Sequence, residues 1–261
     1  NADISVSLNQ NKIIALGPTG APLYVQTGAG NGTNILQVGA PIGSFFGLTR
    51  LGTYSTEEAS LAARYGMLPG DLKYLDRNND GKIDLYSDGG IIGRSFPKML
   101  AGFNTYLTYK RFDASLNIQI VTGVNKAFVH ESAEDRQLVS GGLNSTLQAW
   151  RPTAQNSMIA QMRPGNGGAY YQSYPDTHMI SDASFVRGAG ASLGYSIPVT
   201  AWKLQKIRVY LAANNFFLIT HVEGYDPEGS SIDKKDSRTP NIDKYQYPNP
   251  AIYSFGVNVS F

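Results

Sequence analysis

The stretch PAIYSFGVNVSF (250–261) alternates strictly. In an extended strand, Tyr253, Phe255, Val257, Val259 and Phe261 share one face, and Ser254, Gly256, Asn258 and Ser260 share the other. Half-buried strands of soluble sandwiches also alternate, but their ends usually fray into polar residues. A strand in a membrane barrel alternates because one face meets lipid and the other a wet lumen.

Working outward, six more segments carry strand-like patterns. The first is 3–15, where Ile4, Val6 and Leu8 oppose Ser5, Ser7 and Asn9; alternation this early marks a chain that opens inside a strand, as a fragment of something longer would. The second, about 41–55, is aromatic and glycine-rich. Residues 101–109 and 112–120 form a hairpin about a tight turn at Lys110-Arg111, with Ala101, Phe103, Thr105, Leu107 and Tyr109 on one face. Its register is pinned, because a one-residue slip would move Asn and Asp into the apolar layer. Segments 184–197 and 205–219 follow. Helical periodicity is weak throughout, save for a short surface helix expected over 56–65.

Composition narrows the classes. Charged residues are 16% of the chain and the net charge of +2 is spread without a basic block, so nucleic acid is not a partner. Without cysteine there is no disulfide framework, thiolate metal site or Cys nucleophile. No apolar run approaches the ~20 residues of a membrane helix, whereas spanning β-strands need only ~10 alternating residues.

Connection lengths are lopsided. Those after the third and fifth strands are short, and those after the second, fourth and sixth are long and rich in Gly, Pro, Asn, Asp and Tyr. Outer-membrane barrels have short periplasmic turns and long external loops. The first connection, about 16–40, breaks this parity. Tyr109, Phe112, Tyr195, Trp202, Tyr253 and Phe261 fall near strand ends, where aromatic girdles sit. The competing reading is a soluble sandwich with aromatic core plugs; the pattern favours the barrel. Seven strands do not close under the even-numbered rule, so others must come from elsewhere.

Longer segments carry a resemblance. PGDLKYLDRNNDGKID (69–84), IIGRSFPKMLAGFNTYLTYKRFDASLNIQ (91–119), SDASFVRGAGASLGYSIP (181–198), KIRVYLAANNFFLITHVEGYDPE (206–228), YSFGVNVSF (253–261) and AWRPTAQN (149–156) resemble the C-terminal barrel half of SusC/RagA-like TonB-dependent transporters of Bacteroidetes outer membranes. Residues 16–40 are the least recognisable part. The resemblance implies an all-β, transmembrane antiparallel barrel of about 22 strands with an N-terminal plug. Residues 1–261 would supply about the last seven strands, with long extracellular loops. It also implies coupling to TonB, a SusD-like surface lipoprotein as lid, and outer-membrane lipid around the wall. The TonB box, the carboxypeptidase-like extension and the plug are not in these residues.

One motif carries chemistry. In DRNNDGKIDLYSD (76–88), Asp76, Asn78 and Asp80 stand at positions 1, 3 and 5 of a calcium loop. Gly81 falls at the turn, and the Lys82 carbonyl and Asp84 follow at positions 7 and 9. The twelfth position is Ser87 rather than Glu, so a site here would bind calcium weakly; an Asx-rich turn without metal explains the same residues. His130, His178 and His221 are isolated, GAGNG (28–32) has no strand–helix context for phosphate, and no serine sits in a nucleophile elbow. The chain is therefore not expected to be an enzyme. Tyr170, Tyr171, Tyr174, Tyr245 and Tyr247 cluster in the loops and suit sugar stacking, peptide capture, loop packing or the lid interface equally. Two functions stand: TonB-dependent import of a glycan or oligopeptide, and a passive or structural barrel such as a porin or secretion component.

Overall fold

A computed structural model describes residues 1–26, 33–128, 148–161, 163, 174–199, 205–222, 224–228, 240–243 and 247–261. In chain order its strands begin β1 (Ala2–Leu8), β2 (Leu23–Gln26), β3 (Thr33–Leu36), β4 (Ser44–Gly47), β5 (Arg50–Thr53), β6 (Leu72–Tyr74) and β7 (Gly90–Arg94). They continue with β8 (Met99–Tyr109), β9 (Phe112–Thr122), β10 (Asn125–Phe128), β11 (Ile180–Asp182), β12 (Phe185–Ile197), β13 (Lys206–Thr220), β14 (Ile242–Asp243) and β15 (Ile252–Ser260). Two short helices, α1 (Ala59–Arg64) and α2 (Leu85–Asp88), lie between β5 and β7, α1 falling inside the 56–65 segment expected to be helical.

The long strands make one six-stranded antiparallel sheet in the order β1-β8-β9-β12-β13-β15. Its register carries each apolar row across the sheet. Tyr109, Phe112, Tyr195, Val209 and Val257 are successive cross-strand partners, and so are Leu107, Ala114, Leu193, Leu211 and Phe255. The opposite face aligns Tyr106, Ser115, Ser192, Ala212 and Ser254. Nothing among the described residues covers the apolar rows: Leu107 is 60% exposed, Leu211 59% and Phe255 70%. A soluble sandwich would bury them, each side chain contributing about 1.5–3 kcal/mol on leaving water.

The 41–55 segment departs from the sequence reading. It does not join the long sheet. Its residues form β4, in a four-stranded sheet with β2, β3 and β7, and β5, paired with β6. Ser44–Gly47 is buried throughout, because both faces of this strand meet protein and its run of aromatics has no need to alternate. Strand β1 ends at Leu8, not Asn9 or beyond, and its exit leads to β8, its neighbour in the sheet. With the second strand gone, the parity anomaly disappears. Connections 9–98, 123–184 and 221–251 all leave the same end of the sheet, and the Lys110-Arg111 turn, the end of β12 at Ile197 and the start of β13 at Lys206 lie at the other. The turn is tight enough to hold Lys110 at φ 56°.

A second departure lies inside the sheet. From the Asn117 row to the Ile118 row, β9 advances one residue, β12 two (Gly190 to Gly188) and β13 three (Asn214 to Phe217). The extra residues form bulges, with Asn215 at φ 51°, and they bend the upper sheet. They also rephase β12. Below the bulge the odd-numbered Ala191, Leu193 and Tyr195 share the apolar face, whereas above it Val186 takes that side and Arg187 turns to the polar one.

The buried core sits in the connections. One cluster joins Ile35, Phe46, Leu48, Leu72, Tyr74, Leu85 and Ile159. A second joins Phe45, Ala127 and Ile242, and a third, of Val121, Val124, Ala183 and Phe185, seals the top of the sheet. The described parts of the three connections thus fold into a cap with its own core on one end of a sheet that, beyond Val121 and Phe185, has no buried apolar cluster among the described residues.

Candidate functional site

The polar face of the sheet is the first element of the site. Asn117 Nδ2 donates to Asn104 Oδ1 at 2.6 Å, and the Ser115 and Ser192 hydroxyls lie 2.7 Å apart. Lower on the same face Arg208 Nε donates to Asp113 Oδ1 at 2.8 Å in a two-pronged ion pair, and its guanidinium lies 4.8 Å from the Tyr210 ring. Two glycines make room for this arrangement. A Cβ at Gly194 would lie 2.5 Å from the Arg208 guanidinium, and one at Gly256 would collide with the Tyr210 ring. Both large side chains therefore lie against the backbone of the neighbouring strands.

The cap is the second element, and buried charge welds it together. Arg50, from the first connection, meets Asp176, from the second: its Nε donates to Asp176 Oδ2 at 2.7 Å, and the Tyr74 hydroxyl donates to the same oxygen at 3.0 Å. Asp176 Oδ1 accepts the His178 amide at 2.9 Å. Arg163 Nη1 donates to Asp71 Oδ1 at 2.7 Å, tying the same two connections again. Lys126 Nζ reaches Asp243 at 3.1 Å and the Asp226 carbonyl at 2.7 Å, tying the second connection to the third. Arg187, rephased by the bulge, meets Asp226 at 2.7 Å and Glu228 at 3.0 Å, tying the wall to the third connection. Burial pushes the Lys126 ammonium below its ordinary value against the pull of Asp243. Burial also raises Asp71. It acts the same way on Asp226, but the Glu228 and Asn249 amides and Arg187 outweigh it and hold that carboxyl low.

The motif at 76–88 forms a compact turn beside this core. Asn78 Oδ1 accepts from the Asp80 amide at 2.9 Å, Asp80 Oδ1 from the Lys82 amide at 2.8 Å, and Asp76 Oδ2 from the Gly81 amide at 3.0 Å. The Tyr65 hydroxyl also donates to Asp76, and these donors outweigh burial to hold its carboxyl below the usual range. Asp76 Oδ1 is buried without a hydrogen-bond partner. Asp84 instead caps α2, accepting the Tyr86 and Ser87 amides, and Asp88 clips the turn by accepting the Arg77 and Asp84 amides. The donors are hard oxygens suited to calcium, but no group of three or more His, Cys, Asp or Glu among the described residues is gathered to hold an ion.

Of the loop tyrosines, Tyr174 is half-buried and packs edge-on against Tyr74 at 6.4 Å, a core role, whereas Tyr247 is fully in solvent. Tyr170, Tyr171, Tyr245, Trp202, His130 and residues 28–32 lie outside the described residues. Sequence reading missed the cap's ion pairs, which join residues 39 to 126 positions apart. One signal was available: Arg187 stands on the odd-numbered positions that hold apolar residues further along β12, so either a charge faces lipid or the strand changes phase.

A long antiparallel sheet with one uncovered apolar face, one polar face, short turns at one end and a loop cap at the other is the wall of a transmembrane β-barrel. No helix among the described residues is long and apolar enough to cross a membrane. Comparison with known proteins specifies the kind of barrel. The chain is 30% identical over 98% of its length to TonB-dependent receptor P3 of Formosa agariphila, of which it covers 26%. It is 28% identical over 72% of its length to TonB-dependent receptor SusC of Bacteroides thetaiotaomicron, covering 17% of that protein. The fold matches the RagAB peptide importer in its open-open state with a TM-score of 0.72 at 20% identity, over the whole chain and 26% of that one. No family model matches. The resemblance to SusC/RagA-like TonB-dependent receptors therefore holds across the chain, which spans about a quarter of the length of the first of these relatives. The relatives are named receptors, not enzymes.

Proposed function

We propose that these residues form the C-terminal part of an outer-membrane barrel of about 22 strands that imports a glycan or oligopeptide, driven by TonB and lidded by a SusD-like lipoprotein. One observation carries this reading: similarity to TonB-dependent receptors extends over 98% of the chain and includes the loop cap as well as the wall strands. The six long strands supply the membrane wall, their apolar rows facing lipid and their polar rows the lumen. The welded cap gives the rim a fixed shape against which a lid can close.

The test is uptake of labelled oligosaccharides and oligopeptides by cells carrying or lacking the gene, in the presence and absence of TonB. Import of one class that needs both the gene and TonB supports the reading. Uptake that persists without TonB identifies a passive pore instead. A second, separable proposal is a weak calcium site at Asp76, Asn78 and Asp80, supported by the unpartnered Asp76 Oδ1 beside two Asx turns.

A further inference from the structure

The apolar face is not smooth. Ala191 and Ala213 are cross-strand partners, and with them Leu193, Leu211, Tyr253 and Phe255 line a furrow of about 500 Å³. Two alanines form its floor, and its banks are large, with Tyr253 71% and Leu193 53% exposed. We propose that this furrow seats one acyl chain of a phospholipid from the periplasmic leaflet.

The position of the furrow selects the leaflet. Tyr109, Phe112 and Tyr195 form an aromatic row next to the short-turn end, with the Phe112 and Tyr195 rings 4.7 Å apart. Short turns face the periplasm, so on β12, β13 and β15 the hydrocarbon begins at Ile197, Ile207 and Val259, one row below this aromatic row. The furrow occupies the next two rows up from the aromatic one. A row is two residues, about 6.7 Å along a strand, or about 5 Å across the membrane at the usual barrel tilt. On β12, β13 and β15 the furrow therefore lies about 10–15 Å above the start of an apolar band about 25 Å tall, the depth reached by the end of an inner-leaflet chain.

Charge at the turn end suits the headgroup. Lys110 and Arg111 are exposed there, Lys110 Nζ lying 5.3 Å from the Tyr109 ring. A phosphate just below the girdle meets a basic rim, and its chain runs upward into the furrow. The inference depends on the wall crossing the membrane and not on what the barrel imports.

For the test, the protein expressed from its own gene is purified from outer membranes in mild detergent, and retained lipid is identified by native mass spectrometry. Ala191→Phe and Ala213→Phe fill the furrow from the outward face, and heat-modifiable mobility confirms that each variant has folded. Wild type should keep phospholipid through washing, and both filled variants should lose most of it. Lys110→Glu with Arg111→Glu should weaken retention with the furrow intact. Equal retention by wild type and filled variants, or no retained lipid at all, overturns the proposal. Lipopolysaccharide in place of phospholipid would assign the furrow to the outer leaflet and also overturn it. So would efficient cross-linking of Tyr253→Cys to a second copy in membranes, which would make the furrow a protein interface.

Discussion

Removing the Asp176 carboxylate should open the cap without dissolving the wall. Asp176 is fully buried and accepts from Arg50 Nε at 2.7 Å, the Tyr74 hydroxyl at 3.0 Å and the His178 amide at 2.9 Å. Asp176→Ala takes the carboxylate away from the Arg50 guanidinium, whose side chain is 1% exposed and keeps the Met158 carbonyl at 2.8 Å. Breaking one side of a buried ion pair costs about 3–5 kcal/mol. At 1.4 kcal/mol per tenfold, the cap should open about 100- to 4,000-fold more often. Hydrogen exchange of the protein in nanodiscs measures this directly: amides of residues 44–54 and 174–180 should accelerate by that factor, and those of β9 and β12 should not. Arg50→Met combined with Asp176→Leu should recover much of the loss, since an apolar pair leaves no buried charge unpaired. Acceleration below about tenfold, with β9 equally affected, would show that the ion pair does not hold the cap and that cap and wall open as one unit.

At Gly194, valine should push Arg208 off Asp113, lowering the folded, heat-modifiable fraction and costing about 1–3 kcal/mol; an unchanged melting temperature would mean that Arg208 is not confined there. The cap should loosen on acidification. Asp226 is held below its ordinary value of 3.8, so its stabilising contribution is complete above that pH and lost as pH falls through the lower folded value. Asp71, raised by burial, runs the other way: its favourable contribution is present below 3.8 and lost as pH rises through its folded value. Asp226→Asn should flatten the acid limb of cap stability followed by exchange, and an undiminished limb would assign it to other carboxylates. Calcium should bind the 76–84 turn with a Kd of about 0.1–1 mM and lose it with Asp80→Ala; no heat of binding at several times that concentration would remove the ion.

Wall strands were legible wherever the two-residue alternation is undisturbed, as in 101–120 and 250–261, because lipid and lumen impose opposite requirements on alternate residues. The same logic failed for 41–55. SFFG is buried on both faces, so its aromatics carry no phase that separates a cap strand from a wall strand. Parity of the connections exposed that error in advance, since one loop was long where a turn belonged. Phase was also lost at the Gly188/Gly190 bulge, where two glycines conceal a change of face that Arg187 alone betrays. Of the candidate sites, the Asx pattern of the 76–88 turn was legible because those hydrogen bonds are local. The Arg50–Asp176 and Lys126–Asp243 pairs were not, because their partners are brought together by a cap fold that no local period encodes.

Spin labels placed one at a time at positions 253 to 259 test the membrane wall most directly. Labels at Tyr253, Phe255, Val257 and Val259 should be accessible to oxygen dissolved in lipid, and labels at Ser254, Gly256 and Asn258 to a water-soluble nickel chelate, in strict alternation. Uniform accessibility to the chelate along β15, or alternation of the opposite phase, would contradict a wall whose apolar rows face the membrane.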